Sequence, residues 1–388
     1  MRRVLFLFVI AACSADAEGG ARQDTIGDPA ARPVEPAPPG SVDPTHDPSD
    51  DPAKNDPMGA GPIALLEPNA NARLVVGEKA RFHAKAKCAD ATIELVADGQ
   101  YVFATGKGPE LDVTYALTSP GVGRTITARA TSTLPKCAGD SKPIDVTVQR
   151  ALAHTNETRV GTNGCEFDLD TVIVPTASTK VDLSVTGNAS PKTVKFHAQG
   201  TSNAVAAVNG GYFASGDGPV SYAKGRSGYE SPSGNVKGPR ACLAFDSKGR
   251  KAHVALSKGG QGSFPNDDEV ICAGPQLVEN SVNVAAAHLV SENFETSGLN
   301  ESTPYPRSAA CVLDDGAVML AVAQSNNNKA CGLSLSDLAD VLRAKGCVSA
   351  INLDGGGSSA LWWKGPPTRY NDGTEDRAVY NAITVVTK

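Results

Sequence analysis

The chain has no apolar run long enough to cross a bilayer. The run that opens it, Val4 to Ala12, has nine residues, where a spanning helix needs about 20. It also lacks a concentrated basic face: Lys and Arg total 36 against 42 Asp and Glu, which argues against nucleic acid as a partner. No CxxC or CxxH pair occurs among the cysteines, so the spacing of a structural zinc site is absent. No lysine follows Gly355, Gly356 and Gly357 as a Walker A loop requires, and Ser358 and Ser359 lack the G-x-S-x-G frame of a serine hydrolase. Nucleotide hydrolysis and serine-hydrolase chemistry are therefore set aside, and no nucleotide cofactor is implied.

What the sequence does have begins with Met1-Arg2-Arg3 ahead of the short apolar run, the pattern of an export signal. Ile10-Ala11-Ala12-Cys13 has the form of a lipobox, resembling bacterial lipoproteins in which cleavage leaves a lipid-modified cysteine at the N-terminus. The alternative is an ordinary signal peptide with a chance cysteine. Residues 1–13 are read as a lipoprotein signal peptide with Cys13 as the lipid attachment. The protein is then expected on a membrane of the bacterial cell envelope, on its periplasmic or outer-surface face. Residues 14–60 hold nine prolines, ten acidic residues and three basic ones, with almost no aliphatic side chains, the composition of a disordered, self-repelling tether. The remaining chain is nearly neutral.

Beyond Cys13 there are eight cysteines, Cys88, Cys137, Cys165, Cys242, Cys272, Cys311, Cys331 and Cys347. An even count behind an export signal points to disulfides. Cys88 and Cys137 stand alone in their segment and are expected to pair; the connectivity of the others is left open.

Residues 61–150 read as short alternating runs between turns: Arg81 to Ala86, Ala91 to Val96, Leu111 to Tyr115, Thr125 to Ala130 and Ile144 to Val148, with turns at Asp98-Gly99 and Pro120-Gly121. Such a series suggests a small all-β sandwich, and the segment resembles bacterial immunoglobulin-like modules. It carries no clustered polar groups for chemistry and is read as a spacer or an adhesion module, the spacer being the first choice. From residue 151 strands mix with helix, giving an α+β chain whose C-terminal domain, 151–388, is a mixed α/β domain with a β-sheet core and few helices. Asn203 to Val208 and Val348 to Leu353 read as buried strands. Ala241 to Phe245 with Ala252 to Leu256, and Ala309 to Leu313 with Val318 to Val322, read as hairpins. A helix is expected from the Ser334 cap through Leu342, stopped by Gly346.

Two of these strands feed glycine loops, a usual place for a site. After the second comes Asp354-Gly355-Gly356-Gly357-Ser358. Three glycines favour positive φ or close approach to the backbone; their amides can form a nest for phosphate oxygens, with the Ser358 hydroxyl adding a donor. A tight turn between strands is the competing reading. After the first comes Asn209-Gly210-Gly211-Tyr212-Phe213, where an amide, two permissive glycines and an aromatic face can hold a sugar ring, or where Tyr212 and Phe213 simply pack in the core. Arg307, in Tyr305-Pro306-Arg307-Ser308, offers a fork that grips a phosphodiester bidentately.

These segments, in this order, resemble the phosphodiester glycosidase family. The likeness runs through NGGYF (Asn209 to Phe213), AGPQLV (Ala273 to Val278), PRSAACV (Pro306 to Val312), GLSLSDLADVL (Gly332 to Leu342), INLDGGGSS (Ile351 to Ser359) and YNAITV (Tyr380 to Val385). It departs from the pattern at Ser308 and Ala360, where threonine is commoner. The resemblance implies a hydrolase that cleaves the glycosyl-phosphate bond of a sugar phosphodiester, releasing free sugar and a phosphomonoester. It places Asn209, Arg307 and Asp354 in the catalytic site, with Gly210, Gly211, Tyr212, Gly355, Gly356, Gly357 and Ser358 as substrate and phosphate contacts.

On this expectation Arg307 and the Gly355 to Ser358 loop stabilise the departing phosphate, and Asp354 acts at the anomeric carbon as nucleophile or as base on water. Asp354 bonded to its own loop amides is the structural alternative. Asp217 and Glu230 are candidates for a second carboxylate, whose distance from Asp354 would distinguish a retaining from an inverting course. Asp372, Glu375 and Asp376 lie close together but lack EF-hand spacing, so they read as an exposed acidic turn, and metal dependence stays open. The competing functions are a non-catalytic phosphoglycan-binding surface lipoprotein and a transferase that passes the sugar to another acceptor.

Overall fold

The computed structural model describes residues 61–388 except 163, 215–217, 232–238, 258–263, 296–298, 300, 325–330 and 366–376. Cys13, the 14–60 tether, Asp217 and the Asp372, Glu375, Asp376 cluster lie outside the described residues.

In residues 61–150 the alternation of the sequence becomes two sheets around one core. One sheet orders Ile63–Glu67, Ala80–Ala86 and Glu110–Tyr115; the other orders Ala72–Val75, Ile144–Gln149, Gly121–Thr131, Thr92–Ala97 and Tyr101–Lys107, with Gly139–Asp140 beside Gly121–Thr131. Along Ala80–Ala86, Phe82, Ala84 and Ala86 point inward while Arg81 and Lys85 face solvent, the period of two that half-buried strands require. They meet Ile93, Leu95, Ile126 and Val148 from the facing sheet. Cys88 pairs with Cys137 as expected, with Cα atoms 5.8 Å apart. Asp98 and Gly99 turn the chain with φ of 51° and 70°. At Pro120-Gly121 the expected turn gives way to strand from Gly121 onward.

From residue 151 the chain is mostly β-sheet with few helices, an α+β arrangement. A seven-stranded sheet orders Ala153–Val160, Glu166–Val174, Val318–Gln324, Arg307–Leu313, Cys347–Asn352, Gln276–Glu279 and Val282–Asn283. A four-stranded sheet orders Val181–Lys192, Val379–Thr387, Ala204–Asn209 and Leu361–Trp363; a second orders Ala223–Lys224, Glu269–Cys272, Arg240–Asp246 and Lys251–Ser257. Both expected hairpins form, with Ala241 opposite Leu256 and Ala309 opposite Ala321.

Every residue of Arg307–Leu313 is buried, because the large sheet is covered on both faces. Ala310 and Val312 point into a core shared with the four-stranded sheets, including Val208, Leu243 and Ile383. Ala309, Cys311 and Leu313 point the other way, to a core closed by helix Leu335–Ala344 through Leu335, Leu338 and Leu342. A strand buried on both faces has no polar alternation, which is why these runs read as continuous apolar sequence. The helix starts at Ser334, whose side chain accepts from the Asp337 amide at 3.0 Å, as its capping sequence predicts. The remaining cysteines pair as Cys165–Cys331, Cys242–Cys272 and Cys311–Cys347. Among the described residues no helix is long and apolar enough to cross a membrane.

The described residues form one compact unit, and polar contacts join residues 61–150 to the chain that follows. Arg73 donates to the Arg250 carbonyl at 2.7 Å, to Thr176 Oγ1 at 2.7 Å and to the Gly316 carbonyl at 3.3 Å. Fully buried Gln149 accepts from the Ala177 amide at 2.7 Å and donates to the Asp315 carbonyl at 3.0 Å. Arg150 pairs with Asp314 at 2.7 Å and Asp315 at 2.9 Å. The hairpin turn at Asp314 to Gly316, read from sequence as a simple reversal, is thus the seat on which the N-terminal sheets dock.

Candidate functional site

Four segments far apart in sequence meet where three strands end. Leu353 N–H donates to the Ser308 carbonyl at 2.8 Å, Gly356 N–H to the Pro306 carbonyl at 2.8 Å, Asp354 N–H to the Gly210 carbonyl at 3.0 Å and Gly274 N–H to the Asn352 carbonyl at 2.9 Å. The loops after Asn209 and Asn352 are thereby laid beside Tyr305 to Ser308.

Asn209, fully buried at its strand end, binds this junction together. Its Nδ2 donates to the Asp354 carbonyl at 2.6 Å, and its Oδ1 accepts from Ser308 Oγ at 2.7 Å and from the Ala360 amide at 3.1 Å. The side chain is committed to protein partners, so it positions Asp354 and Ser308. Gly210 and Gly211 are required for packing: a Cβ on Gly210 would come within 2.1 Å of Asn381 Oδ1, and one on Gly211 within 2.5 Å of the Cys272 carbonyl oxygen. Their bare Cα atoms face protein, where the sequence suggested a ligand.

Tyr212 is likewise built in. Its hydroxyl donates to the Gly274 carbonyl at 2.8 Å and accepts from Asn352 Nδ2 at 2.6 Å, while its ring lies 5.7 Å from that of Phe294. Burial raises the phenol pKa, the Asp354 and Glu292 charges add to the rise, and Arg307 opposes it. The phenol therefore stays protonated.

Arg307 is 3% exposed. Its Nε donates to the Leu333 carbonyl at 3.1 Å and its Nη2 to the Thr303 carbonyl at 3.0 Å. Among the described residues no carboxylate forms an ion pair with it. Burial pulls its pKa down, against the phenols of Tyr212 and Tyr305. A buried cation lacking a counter-ion is costly unless something else supplies the negative charge. Its Nη1 faces Gly355, where an added Cβ would sit 3.9 Å away.

Asp354 lies on this loop with one oxygen accepting from the Gly355 amide at 2.9 Å. Burial pushes its pKa up to about 6, against the influence of Ser358, the Gly355 amide and the Arg377 charge. The Ser358 hydroxyl stands close enough to favour the ionised form, yet its buried oxygen closes no well-shaped hydrogen bond. Gly356 adopts φ of 60° with open space where a side chain would be, and the backbone there is free to approach a ligand.

Two residues were missed in the sequence. Arg377 packs on the loop, its Nη2 2.9 Å from where a Gly357 Cβ would be; a lone arginine ahead of the last strand carried no motif. Glu292 is fully buried, accepting from the Gln276 amide at 2.6 Å, the Ala241 amide at 2.7 Å and His288 Nδ1 at 3.1 Å. Burial raises its pKa. Glu230 is held by the Tyr222 hydroxyl at 2.9 Å. The structure thus gathers Asn209, Tyr212, Arg307, Asp354, Gly355, Gly356, Gly357 and Ser358 at one junction. It combines a buried cation with no carboxylate partner among the described residues, an open glycine turn and a carboxylate whose pKa burial raises to about 6, which suits binding an anion and exchanging a proton beside it.

Fold and site together define a β-rich α+β domain in which a buried arginine and a glycine turn meet at the strand ends. Residues 202–386 match the model of the phosphodiester glycosidase family. A curated relative, the SPbeta prophage-derived uncharacterized protein YomE of Bacillus subtilis (strain 168), is 27% identical over 157 residues, 38% of this chain and 22% of that protein. The chain therefore spans less than a quarter of that relative. Among solved structures, the zebrafish N-acetylglucosamine-1-phosphodiester alpha-N-acetylglucosaminidase catalytic domain, auto-inhibited by its pro-peptide, is 15% identical with a TM-score of 0.48, covering 61% of this chain and 83% of that one. A hypothetical protein from Synechocystis is 16% identical with a TM-score of 0.42, covering 85% and 84%.

Proposed function

We propose that residues 151–388 hydrolyse the glycosyl-phosphate bond of a sugar-1-phosphodiester. Water adds across the bond between the anomeric carbon and the phosphate oxygen, giving free sugar and a phosphomonoester. The observation that carries this reading is Arg307, a buried guanidinium that among the described residues meets two carbonyls and the Tyr305 ring but no carboxylate, and whose Nη1 faces the Gly355 turn. A substrate phosphate supplies the missing negative charge. It is gripped by Arg307 and by the amides of the turn, with Arg377 at its outer side.

A glycosyl phosphate already carries a good leaving group, so charge stabilisation is the larger task. Asp354, ionised above about pH 6, acts at the anomeric carbon, as base on water or as nucleophile. Asn209 serves as a positioning residue that holds the Asp354 main chain. The anomer first released distinguishes the two courses for Asp354. Four disulfides fit an exported protein. On this reading Cys13 carries a lipid that holds the chain at the cell envelope, and residues 61–150 are an immunoglobulin-like module that supports the domain.

The test is release of free sugar from an α-linked N-acetylglucosamine phosphodiester by the full chain, beside Arg307→Ala and Asp354→Asn. Turnover lost in both variants supports the reading. Binding without turnover across a panel of sugar phosphodiesters would replace it with a phosphoglycan-binding role.

A further inference from the structure

We propose that a second recess, formed by strand Val181–Lys192, helix Val194–Gln199 and the turn at Ser227, binds a neutral saccharide. The cavity measures about 470 Å³ and shares no lining residue with the Arg307 and Asp354 junction. That size lies within the range of about 300–1,000 Å³ usual for small-molecule sites.

Its chemistry is uniform. Thr186, Asn188 and Ser227 present hydroxyls and an amide, joined by Ser184, which also bonds Glu269, and Thr201, which also donates to the His197 carbonyl at 2.8 Å; among the described residues no carboxylate, lysine or arginine lines it. Such walls carry no fixed charge, and they match a ligand whose rim is all hydroxyl, each group able to give or take a hydrogen bond. Phe196 lines the same recess and is 50% exposed, although its helix neighbours Val194 and Ala198 are buried. An aromatic ring left half in water beside a polar cavity suits the apolar C–H face of a sugar ring. Lys192 Nζ lies 5.2 Å over the Phe196 ring, a cation–π contact beside the recess.

Ser202 adds a further hydroxyl residue to the lining, and His197 is already assigned. Its Nε2–H donates to the Val379 carbonyl at 3.1 Å, and burial lowers its pKa, keeping it neutral. Thr186 makes only long contacts, 3.5 Å to His197 Nδ1 and 3.4 Å to the Ala382 carbonyl, at the weak limit of hydrogen bonding. Its hydroxyl therefore has capacity for a ligand. The recess also backs onto the other site: Gly187, in its wall, pairs with Asn381, whose Oδ1 accepts from the Gly211 amide at 2.8 Å.

This inference does not depend on the activity proposed for Asp354. The experiment is titration of the full chain, by calorimetry and ligand-observed NMR, with N-acetylglucosamine, glucose, chitobiose and maltose, and with glucose 1-phosphate as the anionic comparator. A neutral sugar should bind in the millimolar range. Phe196→Ala and Ser227→Leu, on separate segments and both at the surface, should each weaken it about tenfold or more, while Arg307→Ala leaves it unchanged. The proposal is overturned if no neutral probe binds, if binding survives both recess variants, or if Arg307→Ala abolishes it, which would move the sugar to the first site.

Discussion

The side-chain amide of Asn209 donates to the main-chain carbonyl of Asp354, 145 residues away, at 2.6 Å. This bond fixes the start of the glycine loop relative to the end of strand Ala204–Asn209, and the Ser308 hydroxyl locks the same amide from a third segment. Replacing Asn209 leaves a buried carbonyl, a hydroxyl and an amide without their partner. Asn209→Ala should therefore cost about 1–3 kcal/mol of stability, read as a lower denaturant midpoint, and should lower kcat while the chain remains folded. A variant with unchanged kcat would show that the loop keeps its place without this bond.

For Arg307 stability and function should move in opposite directions. Its buried charge has no carboxylate partner among the described residues, so Arg307→Met removes a desolvation cost while keeping much of the apolar stem. Thermal stability should hold or rise, by about 1–3 kcal/mol at most, while binding of a phosphodiester ligand is lost. Loss of both together would mean that the carbonyl contacts to Leu333 and Thr303 matter more than the charge.

Asp354 gives a pH signature. Its pKa is raised in the folded protein to about 6 from an ordinary 3.8, so the native state binds the proton more tightly than the unfolded chain. Its contribution to stability is then fully present below about pH 4 and is lost as pH rises through about 6. Glu269, raised to about 7 by burial, and Glu292 act in the same sense, so only a comparison isolates Asp354. Melting temperatures of Asp354→Asn and the parent should coincide near pH 4 and separate by pH 7 in favour of the variant. If Asp354 acts ionised, turnover of the parent should fall below about pH 6 and the variant should be inactive throughout.

The junction at Gln149 predicts that the two parts of the chain are energetically coupled. Gln149→Leu strands the Ala177 amide and the Asp315 carbonyl in a buried interface and should cost about 1–3 kcal/mol. Proteolysis would show whether the variant opens there: cleavage near residue 150 should accelerate if the docking is lost, and an unchanged digest would argue that Arg73 and Arg150 suffice.

Much of this architecture was legible because its signals are local. The Ser334 cap and the apolar period after it predict the helix, and the hairpins around Ser247-Lys248-Gly249 and Asp314-Asp315-Gly316 follow from turn residues between apolar runs. The pairing of Cys88 with Cys137 followed from their isolation in one segment. The order of the strands did not follow, since Arg307–Leu313 lies between Val318–Gln324 and Cys347–Asn352 through contacts that no local pattern encodes. The same holds for Arg377 and Glu292, which belong to the site by position and carry no motif.

The sequence by itself determined which residue types gather at strand ends: an amide at Asn209, a cation at Arg307, a carboxylate and three glycines from Asp354 onward. Tertiary structure alone decided their employment. It turned Asn209 inward as a bracket, pressed Gly210 and Gly211 against Asn381 and Cys272, and left Arg307 buried with no carboxylate beside it among the described residues. The physical reason is that burial and the partners found there set both the charge state and the free hydrogen-bonding capacity of a side chain, and both depend on which distant segments pack against it.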